Sequence, residues 1–326
     1  MSEAALVTGA GGFIGGHLAV ALARSGWRVR AFLRYSSRGT RGTLEGHDRD
    51  AVDQMEVLFG DLRDVESVAR AVAGVDVVFH LGAQVGIPYS YVNARDFVET
   101  NVGGTLNVAE AALRGGVRRV VAASTSEVYG TAQFVPMDEA HPLEAQSPYA
   151  ASKIGADKLL DAFNRSHDLP VTIVRPFNTY GPFQSARAVI PTVITQALTG
   201  GTVRLGALDT RRDLTFVTDT VAGFVAAAGC EEAIGRTVQL GTGEDASVGE
   251  IVDLVADLLG REVRVERDES RLRPPASEVG RLLSHPALAR RLLGWCPAVD
   301  LRTGLARTIA WVESHLDDYR TGEYAM

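Results

Sequence analysis

Short apolar runs recur along this chain and alternate with stretches of helical periodicity. Residues 4–7, 28–33, 55–59, 75–81, 117–123 and 171–174 are strand-length segments dominated by apolar side chains. Between them, residues 17–24, 66–73 and 97–114 repeat apolar side chains at helical spacing. A further helix opens at Ser147-Pro148, an N-cap followed by a residue suited to the first turn, and runs to about Arg165. Strands alternating with helices predict an α/β fold, a doubly wound parallel (Rossmann) sheet with ligands at the carboxyl ends of its strands. Beyond residue 174 the alternation breaks down: Pro182, Pro191, Gly200 and Gly201 punctuate the chain, and amphipathic helices are predicted over Val248–Leu259 and residues 301–315. A second, smaller C-terminal domain is therefore expected.

Composition narrows the picture. The 326 residues are 46% apolar and 22% charged, ordinary for a globular chain. The net charge of −7 leaves no basic surplus, so nucleic acid is not an expected partner. Cys230 and Cys296 form no close-spaced pair and fit a reducing compartment. No apolar run approaches the ~18 residues of a membrane span, and the N-terminus enters its first strand without a basic-then-apolar leader. The expectation is a soluble, cytoplasmic protein without a membrane partner. No metal-ligand cluster is apparent, and the scattered histidines, His80 included, read as structural. Trp295 and Trp311 read as packing residues. Lys153 and Lys158 are the only lysines.

The first strand is followed by Thr8-Gly9-Ala10-Gly11-Gly12-Phe13-Ile14-Gly15-Gly16 and then a helix. Strand, glycine turn and helix form the opening of a dinucleotide-binding unit. Gly9 permits the tight turn, Gly12 lets backbone approach a pyrophosphate, and Gly15 lets helix and strand pack closely, while the helix N-terminus offers unpaired N–H groups to the anion. At the end of the second strand stands Arg34, where NAD-preferring enzymes usually carry an acid; arginine suits a ribose 2′-phosphate, which favours NADP over NAD. Asp61-Leu62 follows the third strand, where an acid can meet the adenine amino group, and Leu81-Gly82-Ala83 follows the fourth. We assign residues 1–178 and 213–243 to a dinucleotide-binding domain, and 179–212 and 244–326 to the substrate-binding domain.

Candidate chemistry sits at the end of the fifth strand, in Ser124-Thr125-Ser126-Glu127-Val128-Tyr129-Gly130. Downstream, Tyr149 and Lys153 are one helical turn apart and share a face. A cation beside a phenol favours phenolate, which suggests a tyrosine whose pKa is lowered enough to take a proton from an alcohol. Asn178 after the sixth strand can hydrogen-bond a diphosphate or sugar, and Arg187, Arg204, Arg212 and Arg273 are candidate anion ligands.

With these residues in place the chain resembles an extended short-chain dehydrogenase/reductase of the nucleotide-sugar-modifying group. The likeness rests on the glycine motif Thr8 to Gly15, Asp61-Leu62, His80-Leu81-Gly82-Ala83, Ser124 to Gly130, Tyr149/Lys153, Arg175-Pro176-Phe177-Asn178-Thr179-Tyr180-Gly181-Pro182, Arg212-Asp213, Phe216-Val217 and Asp219. It covers nearly the whole chain. Within the group, Gly86 to Tyr91, Tyr129 to Gln133, Gln184 to Pro191 and Leu205 to Asp209 resemble NDP-N-acetylglucosamine 4,6-dehydratases of nonulosonic-acid pathways. The Arg34/Ser36/Ser37 turn and Thr125-Ser126-Glu127 are also similar to GDP-mannose 4,6-dehydratase.

The resemblance implies oxidation at sugar C4, loss of water across C5/C6 and return of hydride to C6. Tyr149, with Thr125 on the same oxygen and Lys153 beside it, would deprotonate the 4-hydroxyl; Glu127 would take the C5 proton. Many dTDP-glucose dehydratases carry Asp where this chain has Ser126, so Glu127 is expected to carry the proton on to the C6 oxygen, oriented by Ser126. Arg212 and Arg273 become the best candidates for the pyrophosphate. A homodimer packed through residues 97–114 and 149–165 as a four-helix bundle is also implied. Thr-Ser-Glu occurs in UDP-glucuronate decarboxylases as well, and a C4 epimerase or a non-catalytic dinucleotide sensor on the same fold remain alternatives.

Overall fold

The computed structural model describes residues 2–319; residues 1 and 320–326, at the outer edges of the predicted domains, lie outside the described residues. Seven parallel strands form the central sheet in the order Thr237–Leu240, Val171–Pro176, Arg119–Ala123, Val77–His80, Ala4–Thr8, Arg28–Arg34, Glu56–Gly60. The strand order reverses direction between Ala4–Thr8 and Val77–His80, the point at which a doubly wound sheet opens a crevice for ligand.

Period-two sidedness builds the layers. Ala5, Val7, Ala31, Leu33, Phe79, Val121 and Val174 face one apolar core, whereas Ala4, Leu6, Phe32, Val78, Val120, Ala122 and Ile173 face the other. The first core packs under helices Phe13–Arg24 and Val217–Gly229, and continues into the C-terminal region through Ile190, Leu214, Val255 and Leu305. The second lies beneath Val65–Val72, Gly104–Gly115 and Pro148–His167. A four-stranded sheet (Asn178–Tyr180, Arg211–Phe216, Asp245–Ser247, Arg281–Leu282) and a two-stranded one (Thr202–Leu205, Arg264–Arg267) occupy the region after the sixth strand.

Local signals set the helix ends. Ser147 accepts from the Ala150 N–H at 3.1 Å and Pro148 opens the helix, which closes at Asp168 with φ 54°. The predicted helix over 97–114 is interrupted. Ala94–Phe97 passes into a wide π turn, Val98–Gly103, before regular helix resumes at Gly104–Gly115. The cause is Asn101, fully buried, whose side-chain Oδ1 accepts from Gln84 N at 2.7 Å and whose Nδ2 donates to Gln84 O and Ser152 Oγ at 3.0 and 2.9 Å. No helix among the described residues is long and apolar enough to cross a membrane.

Candidate active site

A cleft of about 840 Å³ opens at the carboxyl ends of the strands. Its first wall is the glycine turn. Gly9 adopts φ 73°, and a Cβ there would meet the Gly82 backbone at 2.8 Å. A Cβ on Gly15 would run into the Gly9 carbonyl oxygen. Gly12 caps helix Phe13–Arg24 without a side-chain hydrogen bond, so the first N–H groups of the helix keep their capacity for an anion. A short 3₁₀ turn, Gly42–Gly46, folds onto this loop: Thr43 donates to Gly11 O and Gly12 O, each at 2.9 Å.

Beneath the turn, the Thr8 hydroxyl accepts from Gly82 N at 3.0 Å and meets His80 Nδ1 at 2.8 Å, while His80 Nε2 meets Thr105 Oγ1 at 3.0 Å. Thr105 in turn bonds the Asn101 carbonyl, so Nε2 carries the proton. Burial pushes the imidazole down to about 3, with Lys153 adding to the effect, and His80 is neutral. The sequence marks His80 only as structural; a polar residue closing the otherwise apolar strand Val77–His80 was the available signal.

The second wall is the end of Arg119–Ala123 together with helix Pro148–His167. Thr125, Ser126, Glu127, Tyr149 and Lys153 all face the cleft. Thr125 accepts from Glu127 N at 3.2 Å and caps the turn Ser126–Tyr129. Lys153 directs Nζ to Ala123 O at 2.7 Å. The phenol departs from expectation: burial pushes the Tyr149 pKa well above its ordinary value, opposed by a hydrogen bond from Thr125. The lowering expected from the i, i+4 lysine does not govern, because Nζ is turned to a main-chain carbonyl and desolvation is the larger effect.

The third wall comes from the segments after the sixth strand. Asn178, Arg187 and Arg273 line the cleft. Asn178 Oδ1 and Arg273 Nη1 are buried without a hydrogen-bond partner, and Arg273 Nη1 lies 3.9 Å from Glu127 Oε2. Four predicted residues stand outside the cleft lining. Asp61 pairs with Arg63 at 2.6 Å, and that guanidinium holds its carboxyl below the usual range. The Leu62 side chain is buried against Gly82 and Gly104. Arg212 is mostly buried, its Nη2 3.7 Å from Glu278. Arg204, among the earlier anion candidates, is an exposed partner of Glu266.

The residues fit a nicotinamide dinucleotide. The turn leaves no room for a Cβ at Gly9 or Gly15, the helix N-terminus is open, and Ser36 Oγ beside Arg34 is buried with no partner. A doubly wound sheet with this cradle, and a tyrosine and lysine one turn apart at its mouth, defines an extended short-chain dehydrogenase/reductase. The chain belongs to the GDP-mannose 4,6-dehydratase family, whose model matches residues 6–308.

Individual relatives span two activities. The chain is 35% identical over 325 residues to a dTDP-glucose 4,6-dehydratase of Streptomyces griseus, covering 97% of this chain and 95% of that one. It is 34% identical over 312 residues to a UDP-glucose 4-epimerase of Mycolicibacterium smegmatis, covering 93% and 96%. Among solved structures it is similar to DesIV, a dTDP-glucose 4,6-dehydratase of Streptomyces venezuelae with NAD bound, with a TM-score of 0.88 and 32% identity over 98% of this chain and 99% of that one. The family thus holds nucleotide-sugar 4,6-dehydratases and 4-epimerases.

Proposed function

We propose that the protein is an NAD(P)-dependent NDP-hexose 4,6-dehydratase that yields a 4-keto-6-deoxy sugar nucleotide. The observation that carries this reading is Glu127, the one carboxylate among the described residues that line the cleft, facing it beside Thr125 and Tyr149. An epimerase acting only at C4 has no proton to move at C5, and so no use for a carboxylate there.

When bound, a nicotinamide dinucleotide supplies the two-electron oxidation at C4, the return of those electrons at C6, and a positive ring charge that counters the upward shift of the phenol. Tyr149 takes the 4-hydroxyl proton at its phenol oxygen, which Thr125 already hydrogen-bonds. Lys153, anchored on Ala123 O, holds a positive charge behind that oxygen. The ketone at C4 acidifies the C5 proton, and the Glu127 carboxylate accepts it. The departing C6 oxygen needs a proton, and the Ser126 alcohol is too weak an acid to give one unaided. Glu127 therefore hands on the proton it has taken, with Ser126 orienting the carboxyl. Arg187 and Arg273 hold the diphosphate, the unpaired Arg273 Nη1 donating to its oxygens, while Asn178 Oδ1, an acceptor without a partner, takes a hydroxyl of the substrate. Arg34 and Ser36 favour NADP, whereas DesIV was solved with NAD; cofactor released from the purified protein decides between them. A homodimer through residues 97–114 and 149–165 completes the proposal.

Incubation with UDP-GlcNAc, GDP-GlcNAc, dTDP-glucose, GDP-mannose and UDP-glucuronate, followed by product masses, tests this. One substrate should lose water. Loss of carbon dioxide would make the protein a decarboxylase, unchanged mass with inversion at C4 an epimerase, and no reaction with any of them a sensor. In Glu127→Gln, C4 oxidation should persist as reduced-cofactor absorbance while turnover falls roughly a thousandfold. Full turnover in that variant removes the role given to Glu127.

A further inference from the structure

Beneath the catalytic pair lies a buried polar cluster that no step above uses. Tyr149, Lys153 and Asp157 occupy successive turns on one face of Pro148–His167. Asp157 is 2% exposed and accepts from Ser124 Oγ at 2.7 Å, Arg175 Nη2 at 2.9 Å and Arg175 Nε at 3.2 Å. Arg175, from strand Val171–Pro176, also donates to the Tyr129 hydroxyl at 3.3 Å, which donates to Gln239 Oε1 at 3.4 Å.

Two properties set this cluster apart from an ordinary buried ion pair. Ser124 directly precedes Thr125, so the Asp157 carboxylate grips the root of the strand end that carries Thr125 and Glu127. Lys153 is itself buried, with Nζ on a neutral carbonyl. Asp157 on its own helix and His80 from the fourth strand act on it, Arg175 from the adjoining strand sits on Asp157, and Tyr149 and Glu127 line the same cleft. Arg175 is a second cation and His80 is neutral, so Asp157 is the buried anion that offsets two positive charges. Desolvation lowers the Lys153 pKa, and Asp157 opposes it.

We propose that Asp157 is a positioning residue: it keeps Lys153 in its charged form and, through Ser124, fixes the strand end that presents Thr125 and Glu127. The kinetic half of this inference rests on Tyr149 and Lys153 being the catalytic pair; the electrostatic half does not.

The lysine content makes the test direct. Lys153 and Lys158 are the only lysines, so lysine labelled with carbon-13 at Cε gives two side-chain signals, assigned by comparison with Lys158→Arg. The purified holoprotein is titrated by NMR, without substrate. In Asp157→Asn, near-isosteric but uncharged, the Lys153 midpoint should move to lower pH while that of Lys158 stays in place. Asp157→Glu should bring it back toward the parent. With the dehydratase substrate, kcat in Asp157→Asn should fall at least about tenfold, with KM little changed and partial recovery in Asp157→Glu. An unmoved Lys153 midpoint in a folded Asp157→Asn overturns the proposal, leaving a pair that merely ties helix to sheet. If that variant does not fold, Arg175→Gln shifts the balance the other way: the Lys153 midpoint should rise, and an unchanged midpoint again overturns it. Failure to find a substrate would leave the titration intact, so the two readings fail separately.

Discussion

Around Gly9 to Gly16 the cleft wall is closed by backbone on backbone: Gly12 N meets Gly9 O at 2.9 Å, Gly16 N meets Gly12 O at 2.8 Å, and Thr8, His80 and Thr105 are bonded to one another beneath. Across the cleft, Asn178 Oδ1 and Arg273 Nη1 have no hydrogen-bond partner, and the ion pair there is long, 3.9 Å from Arg273 to Glu127. One side is a steric mould whose open donors are main-chain N–H groups at a helix N-terminus. The other is a set of charges held short of contact. A mould should fail all at once when disturbed, whereas a charged wall should weaken one ligand at a time.

The largest effect expected on the mould is with acid. His80 titrates near 3 in the folded protein, against an ordinary value of 6.5. The unfolded chain therefore binds the proton first. The stability contributed by the neutral ring is complete above pH 6.5 and declines as the pH falls from there toward 3. Acidification from neutrality to about pH 4 should remove roughly 3 kcal/mol through this group. Unfolding free energies measured across that range should show a shallower slope in His80→Gln; an identical slope would mean that His80 does not lock the wall. Next, Gly15→Ala should cost about 2 kcal/mol in stability and leave the purified protein without bound dinucleotide, read by melting and by cofactor released on denaturation. Normal cofactor content would show the mould to be looser than its contacts indicate. The smallest effect belongs to the charged wall: Arg273→Ala should raise KM for the sugar nucleotide about tenfold, leave the melting temperature nearly unchanged and keep the cofactor. Loss of cofactor there would break the distinction between the walls.

The same contrast explains what was legible in the sequence. The Gly9/Gly12/Gly15 cradle can be read because its requirement is local and steric, and Ser147-Pro148 because capping acts over three residues. The π turn at Val98–Gly103 could not be read, since the residues that draw Asn101 inward, Gln84 and Ser152, lie 17 and 51 positions away. The Tyr149/Lys153 spacing is legible as one helix face, and both residues line the cleft, but the phenol's pKa follows from burial, which is a property of the assembled fold. Asp61 and Arg212 were legible as residue types and not as directions; Arg63 pairs with one, and the other is largely buried, facing Glu278.

The broadened turn at Asn101 has a mechanical consequence. By clamping the Gln84 loop and Ser152 at once, it yokes the flank of the cofactor pocket to the helix that bears the phenol. A ligand that displaces that loop would therefore pull on the helix of Tyr149 through the same three hydrogen bonds.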